Sequence, residues 1–217
     1  MLATLTNPLF FQILSLAGTL SAILGSLAAG LAYRGRLGER YSPLNHFISE
    51  LGEAGISRLD WAFNLGLILC GLCLLAASLS LGLILPGVWS KLGMVAGVVT
   101  AVSIALVGVF PMNKLTPHIR AAVTYFRMGL VMVTLFTLAI ALQLAPPVLS
   151  RWFCLAGLPA ILAYSYFLMY SRISYAAPQN PLASVETARP PVWRMAAAEW
   201  AIFLTTVPWL LAIAFGL

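Results

Sequence analysis

Charged residues are scarce in this chain. Asp, Glu, Lys and Arg together make up 8% of its 217 residues, whereas about 25% is typical of a soluble globular domain. Apolar residues make up 61% of the chain, and its mean hydropathy is +0.97. Because so few charges cannot form a polar coat, the composition excludes a water-soluble domain and indicates a protein that folds in lipid.

Acidic residues are the scarcer of the two charge types. Six Asp and Glu stand against twelve Lys and Arg, and the formal net charge is +6. A nucleic-acid-binding protein gathers its basic residues on one face or stripe. In this chain they are spread over the junctions between apolar runs. We therefore predict no nucleic-acid partner and relate the basic residues to membrane topology.

Cysteine is rare, and the apolar runs contain no lysine. Cys70, Cys73 and Cys154 all fall inside apolar runs, where a thiol lacks the electropositive, partly exposed setting that makes it reactive. We therefore interpret the Cys70–Cys73 spacing as two small buried side chains rather than a redox or zinc motif. Without an intramembrane lysine, a retinal Schiff base is excluded. The two histidines do not predict a haem, because His118 lies at a helix end and His46 in a loop.

Six apolar runs are long enough to cross the membrane, since a helical span needs about 20 residues. They lie at 9–33, 61–85, 92–110, 119–144, 152–171 and 195–217. Short turns at Pro86-Gly87 and Pro146-Pro147 make the helices on either side of each turn antiparallel neighbours. The sequence therefore predicts an all-α, polytopic membrane protein, a single six-transmembrane-helix bundle over residues 1–217.

Basic residues predict the orientation of this bundle. Nine of them lie in or beside the first, third and fifth connections, and only Lys91 and Arg151 flank the second and fourth. The positive-inside rule then places loops 34–60, 111–118 and 172–194 in the cytoplasm and both termini outside. We expect a multi-pass protein of the plasma or inner membrane.

The first long connection contains a predicted amphipathic helix. Ser42-Pro43 is a helix start, with Ser as N-cap and Pro at the first helical position, and Gly52 is a suitable stop. Apolar residues recur at helical spacing on one face: Leu44, Phe47, Ile48 and Leu51. Polar residues occupy the opposite face: His46, Ser49, Glu50 and Glu53. Such a helix lies at the membrane surface or dips into the end of the bundle.

Polar residues inside the runs gather at the same end. Arg127 lies on the helical face of Arg120 and roughly 10 Å deeper, while Glu199 and Asn64 lie about 7 and 5 Å into their own runs. Charges in a membrane are costly and usually pair. We predict that Arg127 pairs with Glu199, and that these residues form a polar pocket with both histidines.

Three kinds of chemistry fit the residues of this pocket. His and Glu are metal-ligand types, but no ligand-spaced signature is present, and we predict no metal site. A histidine beside a carboxylate can act as a general base, and we take His118, Glu50 and Ser49 as candidate catalytic residues, with Ser49 as nucleophile. Basic residues beside apolar surface can hold an anionic lipid headgroup. The candidate ligand-binding residues are His46, Glu53, Asn64, Arg120, Arg127 and Glu199.

Four segments follow one another in a recognisable order along the chain: Ile48–Gly52, Phe63-Asn64, Gly108–Pro111 and His118. They resemble the pattern I-S-[DE]-L-G after the first span, F-N at the start of the second, and G-x-F-P followed by a histidine before the fourth. This pattern is that of a bacterial and archaeal membrane family known as domain of unknown function 998. The resemblance implies a six-helix protein and places Ser49, Glu50, Asn64, Pro111 and His118 at motif positions. It implies no established reaction. The chain is also distantly similar to the eukaryotic Frag/DRAM/Sfk membrane group.

These features lead to a functional hypothesis with two alternatives. We expect a pocket on the cytoplasmic side that binds or processes a lipid or another small amphiphile, with Glu50 and His118 as a central polar pair. An accessory subunit of a membrane complex, or a homo-oligomer, would use the same residues to close helix ends. A small transporter is the third possibility, although the sequence lacks the repeats and paired broken helices typical of one. Enzymatic activity and cofactors stay open.

Overall fold

The structure is a computed structural model that describes residues 2–176 and 189–217. Six long helices follow a single helical turn at Leu2–Leu5: α1 Pro8–Ala32, α2 Asp60–Ile84, α3 Val88–Val109, α4 Leu115–Ala141, α5 Gly157–Ala176 and α6 Arg194–Gly216. A 3-10 helix, Arg151–Ala156, leads into α5. Six segments are long and apolar enough to span a membrane, the fifth being Arg151–Arg172. The six predicted spans are thereby confirmed.

Local sequence signals explain where several helices begin and end. The side chain of Asn7 accepts a hydrogen bond from the amide of Leu9 at 2.9 Å, and Pro8 takes the first helical position of α1. Gly87, with φ of 89°, makes the tight turn between α2 and α3. At the same end, Gln143 joins the end of α4 to the next turn, because its amide nitrogen donates to the carbonyl of Leu149 at 3.0 Å.

The helices form a closed ring. Each helix packs against the next one along the chain, and α6 packs against α1. Glycine allows a close approach between α1 and α2: a Cβ added to Gly25 would lie 2.7 Å from the carbonyl oxygen of Ala62, and one on Gly66 would lie 2.6 Å from that of Ser21. Large apolar side chains such as Leu24 and Leu31 project outward, where lipid would contact them.

The short helix in the first connection is a 3-10 helix that spans Ile48–Gly52. It is shorter than predicted, and its N-cap is Phe47, so the predicted start at Ser42-Pro43 was wrong. Both of its predicted faces are buried, since Leu51 and Glu50 are each almost fully covered. The helix therefore dips into the end of the bundle, because its polar residues find partners within the protein.

We call this end of the bundle the mouth. It consists of the α1–α2 connection (33–59), the α3–α4 connection (110–114) and residues 189–193 before α6. Of the predicted loop 172–194, residues 177–188 lie outside the described part of the chain.

Candidate functional site

Hydrogen bonds tie the three segments of the mouth together. The amide of Trp193 donates to the carbonyl of Leu44 at 2.8 Å. The side chain of Asn113 accepts from the amide of Ala54 at 2.7 Å and donates to its carbonyl at 3.0 Å. The α1–α2 connection is thereby fixed to both of the other segments.

Glu50 lies at the centre of the mouth with its side chain 3% exposed. Arg189 binds its carboxylate in a bidentate manner, at 2.9 Å and 2.7 Å. The amide of Phe47 donates to the same carboxylate at 2.8 Å, and the hydroxyl of Tyr33 donates at 3.5 Å. Such charge-assisted, bidentate pairs are among the strongest hydrogen bonds in proteins. Glu50 and Arg189 therefore fix the relative positions of the first and last connections.

His46 packs beside this ion pair and is 2% exposed. Its Nδ1 lies 3.3 Å from both the amide nitrogen and the carbonyl oxygen of Ser42. Its Nε2 has no hydrogen-bond partner among the described residues and lies 3.8 Å from a carboxylate oxygen of Glu39. Burial lowers the pKa of His46, so the ring is neutral at pH 7. Nε2 is thus a buried polar atom without a hydrogen-bond partner among the described residues.

A cavity of about 270 Å³ lies against His46, and we call it the polar cavity. Its wall contains three cations and two carboxylates: Arg36, Arg40, Arg189, Glu39 and Glu53. Arg36 contacts Glu53 at 2.6 Å. Arg40 is exposed and has no carboxylate within ion-pair distance in the described part of the chain. This cation is in place to bind an anionic group such as a phosphate.

A second, mainly apolar space of about 470 Å³ runs between α1 and α6, and we call it the groove. Its walls include Ile23, Leu27, Gly30, Trp200, Phe203 and Leu204. Tyr41 also lines the groove, and its hydroxyl accepts a hydrogen bond from the indole of Trp200 at 2.8 Å. On its other side, the centroid of the Tyr41 ring lies 5.3 Å from that of the Tyr33 ring and 5.1 Å from that of the His46 ring. Tyr33 and His46 both line the polar cavity. Tyr41 therefore separates the groove from the polar cavity.

Ser49, His118 and Glu199 form a separate cluster. All three line a pair of cavities of about 50 and 90 Å³, which we call the Glu199 cavities. The Nδ1 of His118 lies 2.7 Å from the carbonyl of Phe110. Because a carbonyl only accepts, Nδ1 carries the proton and Nε2 is left as an acceptor. Glu199 accepts a hydrogen bond from the amide of Ile48 at 2.8 Å. The residue types and this tautomer suit general-base chemistry.

The motifs at the mouth fall within a segment that matches the sequence model of a known protein family. The sequence model of a family described as a protein of unknown function, DUF998, matches residues 16–216. The chain belongs to the DUF998 family. No curated protein and no solved structure matches it. This DUF998 chain is an integral membrane protein with six candidate spans, and its family membership brings no specific activity.

The DUF998 motif residues have different structural roles. Glu50 holds Arg189, whereas Asn64 donates to the carbonyl of Gly52 at 3.0 Å and attaches the 3-10 helix to α2. The hydroxyl of Ser49 lies 3.5 Å from the sulfur of Met112. The predicted ligand-binding residues His46 and Glu53 both line the polar cavity. The motif thus supports the architecture of the mouth as well as its cavities.

Two predicted pairs are wrong. No hydrogen bond joins Glu50 to His118 within the described ranges, because Glu50 binds Arg189 and His118 binds the carbonyl of Phe110. Arg127 and Glu199 likewise do not form an ion pair in the part of the chain that the structure describes. Depth alone suggested the second pair, but Arg127 lies on an exposed face of α4 while Glu199 is buried.

Arg120 is also exposed on α4, and neither Arg120 nor Arg127 lines the polar cavity, the groove or the Glu199 cavities. Five residues that do build the site were not among the predicted site residues: Tyr33, Glu39, Tyr41, Arg189 and Trp200. A basic residue in a proline-containing segment, as Arg189 is, carries no periodic signal that marks a partner. The clustering of Tyr33, Glu39 and Tyr41 beside the first span was the only sequence signal for them.

The histidines and acidic residues of the mouth do not converge on one point in the described part of the chain. Across residues 2–176 and 189–217, no group of three or more His, Cys, Asp or Glu side chains is arranged to hold one ion. Each histidine already places Nδ1 within hydrogen-bond distance of a backbone atom.

Proposed function

We propose that this protein binds a membrane amphiphile with a phosphate-bearing headgroup at the mouth of the bundle. The headgroup would occupy the polar cavity, and one hydrocarbon chain would lie in the groove between α1 and α6. The observation that supports this most directly is the position of Tyr41, which lines the apolar groove and packs against two residues in the wall of the polar cavity, Tyr33 and His46. An amphiphile has the same division between a polar head and an apolar chain.

The side chains around both spaces fit this ligand class. Arginine binds phosphate through several donors, and Arg40 lines the polar cavity without a carboxylate partner among the described residues. Tyrosine and tryptophan are enriched at the level of lipid headgroups, where one part of the ring is apolar and another polar. Tyr41 and Trp200 are joined by a hydrogen bond at this level of the bundle.

The mouth would face the cytoplasm, with both termini outside. This orientation is supported by the excess of Arg in the connections of the mouth over the two connections at the opposite end. The cytoplasmic leaflet is also the one that carries anionic phospholipids. Accessibility of a C-terminal epitope in intact cells tests the orientation: labelling without permeabilisation is expected, and labelling only after permeabilisation would reverse it.

Native mass spectrometry of the protein extracted from its membrane tests lipid binding. We expect a phospholipid adduct on the wild type that Gly30→Leu reduces, because this side chain would enter the groove. Gly30→Ala is the matched control, since a Cβ there meets its nearest neighbours at 3.8 and 4.0 Å, which is ordinary contact. An adduct that survives Gly30→Leu unchanged would contradict the groove as its site.

The headgroup contact has its own pair of variants. Arg40→Gln should lower the adduct population several-fold when phosphatidylglycerol is offered in nanodiscs, while Arg58→Gln should not. Arg58 is the matched control because it is also exposed in the first connection but does not line the polar cavity. Equal effects of both changes would indicate non-specific charge attraction. A stoichiometric protein partner without any lipid dependence would favour the accessory-subunit alternative.

Hydrolysis of an ester whose carbonyl enters the Glu199 cavities is the second candidate function. It is favoured by the tautomer of His118, whose Nε2 is left as an acceptor, and by the cavities that His118 shares with Ser49 and Glu199. Ser49 would be the nucleophile and His118 its general base. A fluorophosphonate probe should then label the wild type, and it should label His118→Gln far more slowly than the wild type. Labelling that persists in Ser49→Ala would refute this role.

A further inference from the structure

The centre of the helix ring contains a cavity that the mouth does not include. All six helices contribute residues near their midpoints: Thr19, Cys70, Thr100, Tyr125, Tyr164 and Trp209. The cavity offers about 70 Å³ to the centres of water-sized molecules. One water molecule needs about 10–15 Å³ of such space, so there is room for several. We call this the central cavity.

Several polar side-chain atoms around the central cavity have no hydrogen-bond partner among the described residues. The hydroxyls of Ser15 and Thr19 and the indole nitrogen of Trp209 are buried and make no hydrogen bond in the described part of the chain. The neighbouring wall residue Thr100, by contrast, donates its hydroxyl to the carbonyl of Ala96 at 2.8 Å. Trp209 is the most informative of the three, because a buried indole N–H is normally paired and can only donate.

The central cavity adjoins the Glu199 cavities. Ile104, Tyr125 and Phe203 line both the central cavity and the smaller of the Glu199 cavities. The two Glu199 cavities share Ser49, His118 and Glu199 in their walls. A series of three adjoining spaces thus leads from the mouth to the middle of the bundle. Ionisable residues that point into the interior of a membrane protein usually mark such a path.

We propose that the central cavity is a hydrated binding site for a small uncharged molecule that accepts a hydrogen bond, reached from the mouth past Glu199. The ligand class follows from the wall. Apolar residues dominate it, no residue in it carries a formal charge at pH 7, and Trp209 supplies a donor that requires an acceptor. An apolar cavity stays dry, whereas one with several unsatisfied polar groups holds water. This site differs in position and ligand class from the amphiphile site.

Cysteine accessibility tests the site in the full-length protein. Thr19→Cys would be placed in a background in which Cys70, Cys73 and Cys154 are replaced by Ala. The probe is methyl methanethiosulfonate, which is small, uncharged and selective for the thiolate that forms only where water is present. The matched control is Leu16→Cys, one turn earlier on α1, because Leu16 is 41% exposed at the outer surface of the bundle.

We expect Thr19→Cys to react at least about tenfold faster than Leu16→Cys. Ala122→Leu narrows both Glu199 cavities, so its addition should slow the reaction of Thr19→Cys. Equal rates at the two positions would overturn a hydrated centre. A rate unaffected by Ala122→Leu would overturn the route from the mouth. Ser15→Cys is a second reporter should Thr19→Cys fail to elute as a folded species in gel filtration.

The ligand class has a separate readout in the same variants. A trimethylammonium methanethiosulfonate should not label Thr19→Cys, and equal labelling by this cation would refute the preference for uncharged molecules. Dimethylacetamide, an uncharged acceptor, should slow labelling by the small reagent. This protection should weaken when Trp209→Phe is added. Protection that is the same with and without Trp209 would refute the indole as the donor.

Discussion

Removal of the Glu50 carboxylate is the sharpest perturbation of the mouth. Glu50 is 3% and Arg189 12% exposed at the side chain, so neither charge is well solvated. The carboxylate accepts two hydrogen bonds from Arg189 and one from the amide of Phe47. Glu50→Gln removes the charge but keeps the size, and it leaves the largely buried guanidinium of Arg189 without its hydrogen-bonded counter-charge.

The size of the effect follows from burial. Loss of one partner of a buried ion pair costs about 3–5 kcal/mol, because the remaining charge is left unpaired. In a chain of about 200 residues, 1 kcal/mol corresponds to roughly 2–4 °C in melting temperature. We therefore expect Glu50→Gln and Arg189→Met each to lower the melting temperature by about 6–20 °C. The double variant should lose less than the sum, since it leaves no unpaired charge.

Thermal unfolding in detergent, followed by tryptophan fluorescence, measures these shifts. Arg58→Met is the matched control, because this Arg is exposed and has no ion pair among the described residues; its effect should stay within about 0.5 kcal/mol. The reasoning is refuted if the losses of the two single variants add within about 0.5 kcal/mol in the double variant, as independent sites do.

Three further predictions concern stability. Burial lowers the pKa of His46, so near pH 6.5 and below the unfolded chain binds more protons than the folded protein does. Stability should therefore fall from pH 7 to pH 5.5, and it should fall less steeply in His46→Gln; equal pH dependence of the melting temperature in the two proteins would contradict this. Gly25→Ala places a Cβ 2.7 Å from the carbonyl of Ala62 and should destabilise by about 1–3 kcal/mol, while the same change at Gly30 should be tolerated. Arg127→Met should change stability by no more than about 0.5 kcal/mol, because this side chain is exposed and unpaired within the described region; a larger loss would restore a structural role for it.

The positions of the helices could be predicted because hydropathy is a local property. Each run from 9–33 to 195–217 is apolar over a length that fits the bilayer, whatever its neighbours are. The largest errors, five residues, fall at both ends of α5, predicted at 152–171 and observed at Gly157–Ala176. There a 3-10 helix, Arg151–Ala156, precedes the α-helix, and apolar composition does not distinguish the two.

The contents of the mouth were only partly predictable. His46, Ser49, Glu50 and Glu53 were singled out by their spacing, and the structure does bring them to one end of the bundle. Their partners were not predicted, because side chains that are far apart in sequence meet only through the packing of the helices. Glu50 and Arg189 are 139 positions apart.

The sequence by itself determined that the protein folds in lipid, how many spans it has and which end of the bundle carries the polar residues. Each of these properties depends on composition along short segments. Only the tertiary structure decided that Glu50 binds Arg189 rather than His118, and that Glu199 accepts from the amide of Ile48 rather than binding Arg127. Pairing depends on which way each helix is rotated about its axis. That rotation is set by close contacts such as the one between Gly25 and Ala62, which no single segment encodes.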